Sequence, residues 1–167
     1  MNITASVITI SDRATNGEYE DIAGPTAKKI LEEAGVQVLE TAVVSDDVRD
    51  ISETVQTLAY DGIDLVLTTG GTGISPRDYT ARAMDPLLRF DIPGIMEAIR
   101  AKGIQKGIPG AMLSRGRAGV LVAGKHRTLI VNAPGSVDGV KDALEVLLPL
   151  LEHAIDQMKG GDHSLPK

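Results

Sequence analysis

"IDLVLTTGGTGISPRD", residues 63–78, is the stretch on which the reading of the fold turns. Ile63, Leu65, Val66 and Leu67 are apolar and bunched, as in a strand buried on both faces. The chain then leaves through Thr68 to Gly73, where side chains are few and small, and meets Ser75, Arg77 and Asp78 just beyond. Glycine lets the main chain take positive φ and approach a ligand closely, so that successive N–H groups converge on an anion. Thr69, Thr72 and Ser75 add hydroxyl donors. A tight turn needs one or two glycines, whereas Gly70, Gly71 and Gly73 fall within four residues. The stretch reads as a buried strand feeding a phosphate loop; a plain structural turn is the alternative.

Upstream, ITASVITI (3–10) is rich in β-branched residues and predicts a first strand, followed by the polar loop SDRATNGEYED. Pro25 opens a predicted helix in which Ala27, Ile30, Leu31 and Ala34 share a face and Gly35 is the stop. VQVLETAVV (36–44) predicts a second strand. Val48, Ile51, Val55 and Leu58 mark a helix from about Asp47 to Tyr60. Strand, helix, strand, helix, strand predicts βαβ units: an α/β fold with a mostly parallel sheet and helices on both faces.

Downstream, Pro86, Pro93 and Pro109 divide residues 80–118 into short helical pieces. AGVLVAGKHRTLIVNAP (118–134) predicts two apolar strands joined at Gly124-Lys125. A last helix runs from about Ser136 to Met158, with an expected kink at Pro149. Residues 1–158 are expected to form one domain and residues 159–167 a disordered tail.

Composition narrows the function. A net charge of −6 and four scattered aromatics (Tyr19, Tyr60, Tyr79, Phe90) argue against nucleic-acid binding, which needs cations and stacking platforms. No basic run suits a membrane surface, and no apolar run approaches the ~18 residues of a span. There is no Cys, hence no disulfide and no thiolate metal site. The N-terminus lacks the charged region of a signal peptide, so a cytoplasmic location is expected.

In parallel sheets ligands bind beyond the carboxyl ends of strands. Four loops leave strands there: Ser11–Arg13, Ser45–Asp47, the glycine loop, and Asn132–Ser136. Pro134 and Gly135 make a turn and Ser136 caps a helix, which is either an anion site or simply a capped helix. Asp46 and Asp78 each follow a strand and are either turn formers or a pair able to share Mg²⁺ with nucleotide phosphates. Arg115, in the polar break Ser114–Arg117, either clamps an anion or ends a helix. GVLVAGKH (119–126) resembles a P-loop, but its variable positions belong in a strand and His126 stands where Ser or Thr is required. His126, His153 and His163 lack ligand spacing, and no Gly-x-Ser-x-Gly elbow occurs.

"SDRATNGEYEDIAGP", "TTGGTGISPRDYT", "PGIMEAIR", "MLSRGRAG" and "LIVNAPGS" occur in the order found in the molybdopterin adenylyltransferases, the MogA/MoaB-like proteins. The resemblance covers residues 3 to about 158 and implies a three-layer α/β/α domain that assembles as a homotrimer. It implies transfer of AMP from Mg-ATP to the terminal phosphate of molybdopterin, with Asp46 and Asp78 as the catalytic, Mg²⁺-holding pair. Thr69, Gly70, Gly71, Thr72, Gly73 and Ser75 fall at the nucleotide phosphates. Ser11, Asp12, Gly94, Glu97, Ser114, Arg115, Pro134, Gly135 and Ser136 fall in segments assigned to the pterin side. A partner protein that inserts molybdenum into the product is also implied. Ala81-Arg82-Ala83 departs from the Pro-Glu-Ala usual in relatives, and Ala133 stands where Leu or Met is usual. Some members of this fold bind the pterin without transferring AMP; the retained acidic pair favours the enzyme.

Overall fold

The computed structural model describes residues 2–161. Strands β1 (Thr4–Ile10), β2 (Gln37–Val44), β3 (Leu65–Thr69), β4 (Phe90–Asp91), β5 (Ala118–Ala123) and β6 (His126–Ala133) form one sheet in the order β2-β1-β3-β6-β5-β4. β2, β1, β3 and β6 run parallel, while β5 is antiparallel to both β6 and β4. The helices are α1 (Asp12–Thr15), α2 (Ala23–Glu33), α3 (Val48–Tyr60), α4 (Thr80–Ala83), α5 (Pro93–Gln105) and α6 (Val137–Met158).

Strand periodicity sorts the core into two layers. Ala5, Val7, Leu65, Leu67, Leu129 and Val131 pack with α2, α5 and α6 on one face of the sheet. Ile8, Ile10, Val66 and Ile130 pack with α3 and α4 on the other. The result is the predicted α/β/α sandwich with a mostly parallel sheet. Its central strand, β3, is buried along its whole length, as its unbroken apolar run requires.

Local differences from the sequence reading have simple causes. The loop after β1 begins with a single helical turn, because Ser11 caps it, its Oγ accepting from Ala14 N at 3.2 Å. α2 begins at Ala23 rather than Pro25; a proline in the first turn lacks only an N–H that has no helical partner anyway. The middle segment holds one full helix, α5, and the two-residue strand β4. α5 escapes a periodicity reading because one of its buried positions, Gly103, carries no side chain. α6 continues through Pro149 as one helix. Lys159 caps α6 and its Nζ lies 2.9 Å from Asp64 Oδ1, so the expected tail starts with an anchored residue. The rest of that expectation, residues 162–167, lies outside the described residues.

One buried side chain ties the site-bearing strands together. Asn132 on β6 donates from Nδ2 to Thr68 Oγ1 on β3 (2.9 Å) and accepts from Arg117 N (3.0 Å). The P-loop-like run falls in β5 and its two-residue turn to β6, where Gly124 takes φ +60°, and makes no phosphate cradle.

Candidate functional site

The parallel strands β2, β1, β3 and β6 end on the same side, and the four predicted loops meet there. Gly70 takes φ +100° and Gly71 φ +63°, values that L side chains resist. A Cβ on Gly70 would lie 2.3 Å from the Ile10 carbonyl, so the glycine loop crosses the end of β1 in contact. A Cβ on Gly135 would lie 3.2 Å from Gly70 Cα, so the β6 loop presses on the same point. Thr69 Oγ1 donates to Pro134 O (2.8 Å) and Gly70 N to Ala133 O (3.2 Å), fixing the two loops to each other.

Thr80, which sequence reasoning passed over, is fully buried and holds the loop from beneath. Its Oγ1 donates to Gly70 O (2.8 Å) and its N to Gly71 O (3.1 Å). Only the run of small residues ahead of it hinted at such a brace. Arg115 also serves the loop. Its N donates to Thr72 O (2.7 Å), its Nε to Gly73 O (2.6 Å) and its Nη2 to Asp78 O (2.8 Å). The guanidinium read from sequence as an anion clamp or a helix end is here a positioning group for the loop.

The acidic residues form a linked set. Asp12 N donates to Asp46 Oδ2 (2.8 Å) and Asp46 N to Asp12 Oδ1 (2.9 Å), a reciprocal pair joining the β1 and β2 loops. Arg77 forms an ion pair with Asp12. Asp78 Oδ2 accepts from Ser75 N at 2.8 Å, folding the end of the glycine loop back on itself. Burial raises the Asp46 pKa above its ordinary value; the Asp12 N–H opposes this, the charges of Asp12 and Asp78 add to it, and Arg77 offsets part. A Cβ on Gly71 would sit 3.3 Å from Asp46 Oδ1, which places this carboxylate against the loop.

Such a set suits a divalent cation. Burial first, and the neighbouring carboxylates after it, raise the pKa of Asp46, and a cation would relieve the part due to repulsion. Among the described residues no group of three or more His, Cys, Asp or Glu side chains forms a metal cage. Two carboxylates with open positions are what Mg²⁺ takes from protein when phosphates supply further oxygens.

The raised pKa predicts a stability effect. Folded Asp46 binds its proton more readily than the unfolded chain does, so the fold loses stability as pH rises through the range above about 3.9. Asp46→Asn keeps a hydrogen-bond acceptor and removes the liability. Its urea midpoint is expected to exceed wild type at pH 7, with the gain shrinking towards pH 4. An equal gain at both pH values would remove this account of Asp46.

Three cavities surround the glycine loop. One of about 260 Å³ includes Ser11, Thr69, Gly70 and Gly135. Another, of about 330 Å³, includes Ser75, Asp78, Arg115 and Arg82, the last with no ion pair among the described residues. A third, of about 240 Å³, includes Thr72, Gly73, Ser114, Pro134 and Ser136. Ser136 caps α6 through Gly139 N (3.0 Å). Gly94 and Glu97 are exposed on α5 and line none of the three; from α5, Ile99 and Gly103 line the third cavity, and Arg100 donates to Ser114 O (3.1 Å). α4 forms despite Ala81 standing for the usual proline.

Gly73 departs from the expected role. It has no positive φ; a Cβ there would lie 2.8 Å from Asp78 Oδ2, so its bareness makes room for the carboxylate. Gly73→Val is expected to weaken Mg-ATP binding at least about tenfold, ~1.4 kcal/mol, while the protein stays folded. Calorimetric titration against wild type checks this, and unchanged affinity in a folded variant would refute the phosphate-loop reading.

The carboxyl ends of the parallel strands thus gather these loops into one candidate site. Residues 6–153 match the family described as "Probable molybdopterin binding domain", and the chain belongs to that family. It is 35% identical over 162 residues to the molybdopterin adenylyltransferase of Helicobacter pylori, covering 95% of this chain and 89% of the relative. It is 34% identical over 159 residues to a molybdenum cofactor biosynthesis bifunctional protein of Chlorobaculum tepidum. That match covers 95% of this chain but 49% of the relative, so the chain spans about half the length of this bifunctional protein. The solved molybdopterin biosynthesis Mog protein of Mycobacterium ulcerans superposes with a TM-score of 0.85 at 44% identity, covering 93% of this chain and 99% of that one.

Proposed function

We propose that this protein is a molybdopterin adenylyltransferase: it transfers AMP from ATP to the terminal phosphate of molybdopterin and releases pyrophosphate. The observation that carries this reading is the bare, positive-φ loop at Gly70 and Gly71 set directly against the Asp46 carboxylate. The names of relatives that match nearly the whole chain support it.

In the reaction a phosphate oxygen of the pterin attacks the α-phosphorus of ATP. The bond from that phosphorus to the bridging oxygen breaks, and pyrophosphate departs with the electron pair. No covalent nucleophile from the protein is needed, so the chain's contribution is positioning and charge neutralisation. Main-chain N–H groups at Gly71–Gly73 and the hydroxyls of Thr72 and Ser75 bind phosphate oxygens, while the Gly70 N–H is held by Ala133 O. Thr80 and Arg115 hold the loop in shape. Asp46 and Asp78 would hold Mg²⁺, which neutralises phosphate charge when bound. Ser114, Pro134 and Ser136 flank the pterin side.

A homotrimer, a cytoplasmic setting and a partner that inserts the metal belong to the same reading. Leu39 and Val43 on the edge strand β2 are 53% and 44% exposed, apolar surface that suits an interface between copies. Light scattering at micromolar concentration is expected to give three times the 17.6 kDa of the chain; a monomer mass would refute the trimer.

The reading is tested by incubating the protein with molybdopterin, ATP and Mg²⁺ and separating the products. Adenylylated pterin is expected. Unmodified pterin held tightly by the protein, with ATP intact, would favour the non-catalytic alternative.

A further inference from the structure

The 240 Å³ cavity has one charged residue in its lining, Asp142 of α6. The rest is apolar or glycine apart from three hydroxyl residues, Thr72, Ser114 and Ser136. The Asp142 side chain is only 3% exposed. One oxygen, Oδ1, pairs with Lys106, whose Nζ also lies 3.7 Å from Glu145. Oδ2 accepts no hydrogen bond from any described residue. A carboxylate this deeply buried is costly unless its remaining lone pairs find donors. The ion pair explains half of Asp142 and leaves an acceptor in the lining of an otherwise apolar cavity.

An occupant that suits this lining supplies N–H donors on a largely apolar body and carries a phosphate. The last condition follows because Thr72 and Gly73 of the phosphate loop line the same cavity. We infer that Asp142 reads the 2-amino-pyrimidinone edge of the pterin, accepting from its exocyclic amino group and the adjacent ring N–H. This rests on the proposed function and adds its specificity determinant. Adenine fits poorly, because its amino group is flanked by ring nitrogens that are acceptors and would face the carboxylate lone pairs. The cavity thus sorts the two substrates, taking the pterin and excluding the nucleobase. A site built to hydrogen-bond a donor discriminates strongly against an analogue lacking it.

The probes are 6-hydroxymethylpterin phosphate and its lumazine counterpart, in which an oxo group replaces the 2-amino group. Wild type is expected to bind the pterin at least about tenfold more tightly, by fluorescence titration, and Asp142→Asn to reduce that ratio to near one. The KM for ATP should stay within about twofold. Lys106→Gln removes the ion pair but keeps the carboxylate, so it should retain the pterin preference. Loss of preference in both variants alike would assign Asp142 a structural role only and overturn the inference. A pterin preference retained by Asp142→Asn, in a protein that still adenylylates molybdopterin, would overturn it while leaving the function intact. Failure of wild type to bind either probe, with no AMP transfer, would remove both.

Discussion

Asp46→Asn and Asp78→Asn are each expected to slow AMP transfer by about 10²–10³-fold in single turnovers, since ~1.4 kcal/mol is tenfold and roughly 3–4 kcal/mol is lost. Asparagine preserves size and an acceptor oxygen, so Asp46 keeps its bond from Asp12 N and Asp78 its bond from Ser75 N. Only the negative charge that would hold Mg²⁺ beside the phosphates is gone. Pterin affinity should change little, because the cavity of Ser114, Ser136 and Asp142 contains neither aspartate. Asp46→Asn should combine slower transfer with greater stability at pH 7, a coupling that a purely structural aspartate would not show. Wild-type rates in both variants would remove the pair from the mechanism.

Gly70→Val carries the second large effect, and it acts on the frame before the chemistry. The position combines φ +100° with a would-be Cβ 2.3 Å from the Ile10 carbonyl, a backbone atom that cannot swing aside. Positive φ in a β-branched residue costs about 1–3 kcal/mol, and the overlap adds to it. Stability is expected to fall by about 3 kcal/mol or more, with transfer lost even in the fraction that folds. Moving β1 from β3 also disturbs the Thr69 and Gly70 bonds to the β6 loop. Urea denaturation beside the transfer assay measures both. A variant of wild-type stability would show that the crossing of the two loops is not tight. Gly71→Val is a milder relative, since the nearest atom there is the Thr80 hydroxyl rather than backbone.

Much of this was legible in the sequence, for physical reasons. The apolar run at 65–67 could belong only in a strand covered on both faces, and β3 is that strand. The spacing of Val48, Ile51, Val55 and Leu58 fixed one face of α3, and Asp47 caps it through Arg49 N and Asp50 N. The loops at 11–13, 45–47, 70–78 and 132–136 converge because parallel strands end together. What stayed hidden depends on tertiary contact. Thr80 drew no reading of its own, and Arg115 read as an anion clamp or a helix end; their hydrogen bonds to loop carbonyls exist only once α4 and the segment before β5 are in place. Nothing in the sequence singles out Asp142 on the long helix, yet the fold leaves its side chain 3% exposed and paired with Lys106. Gly94 and Glu97 show the reverse: the motif suggested a site position, but both stand exposed on α5 outside the three cavities.

On the proposed function, the loop and the acidic pair move AMP rather than merely hold a pterin. A single-turnover reaction with ATP labelled at the α-phosphate, molybdopterin and Mg²⁺ tests it most directly. Label is expected in the pterin product, matched one for one by pyrophosphate and absent when molybdopterin is omitted. Label that remains in ATP while molybdopterin is tightly bound would contradict it.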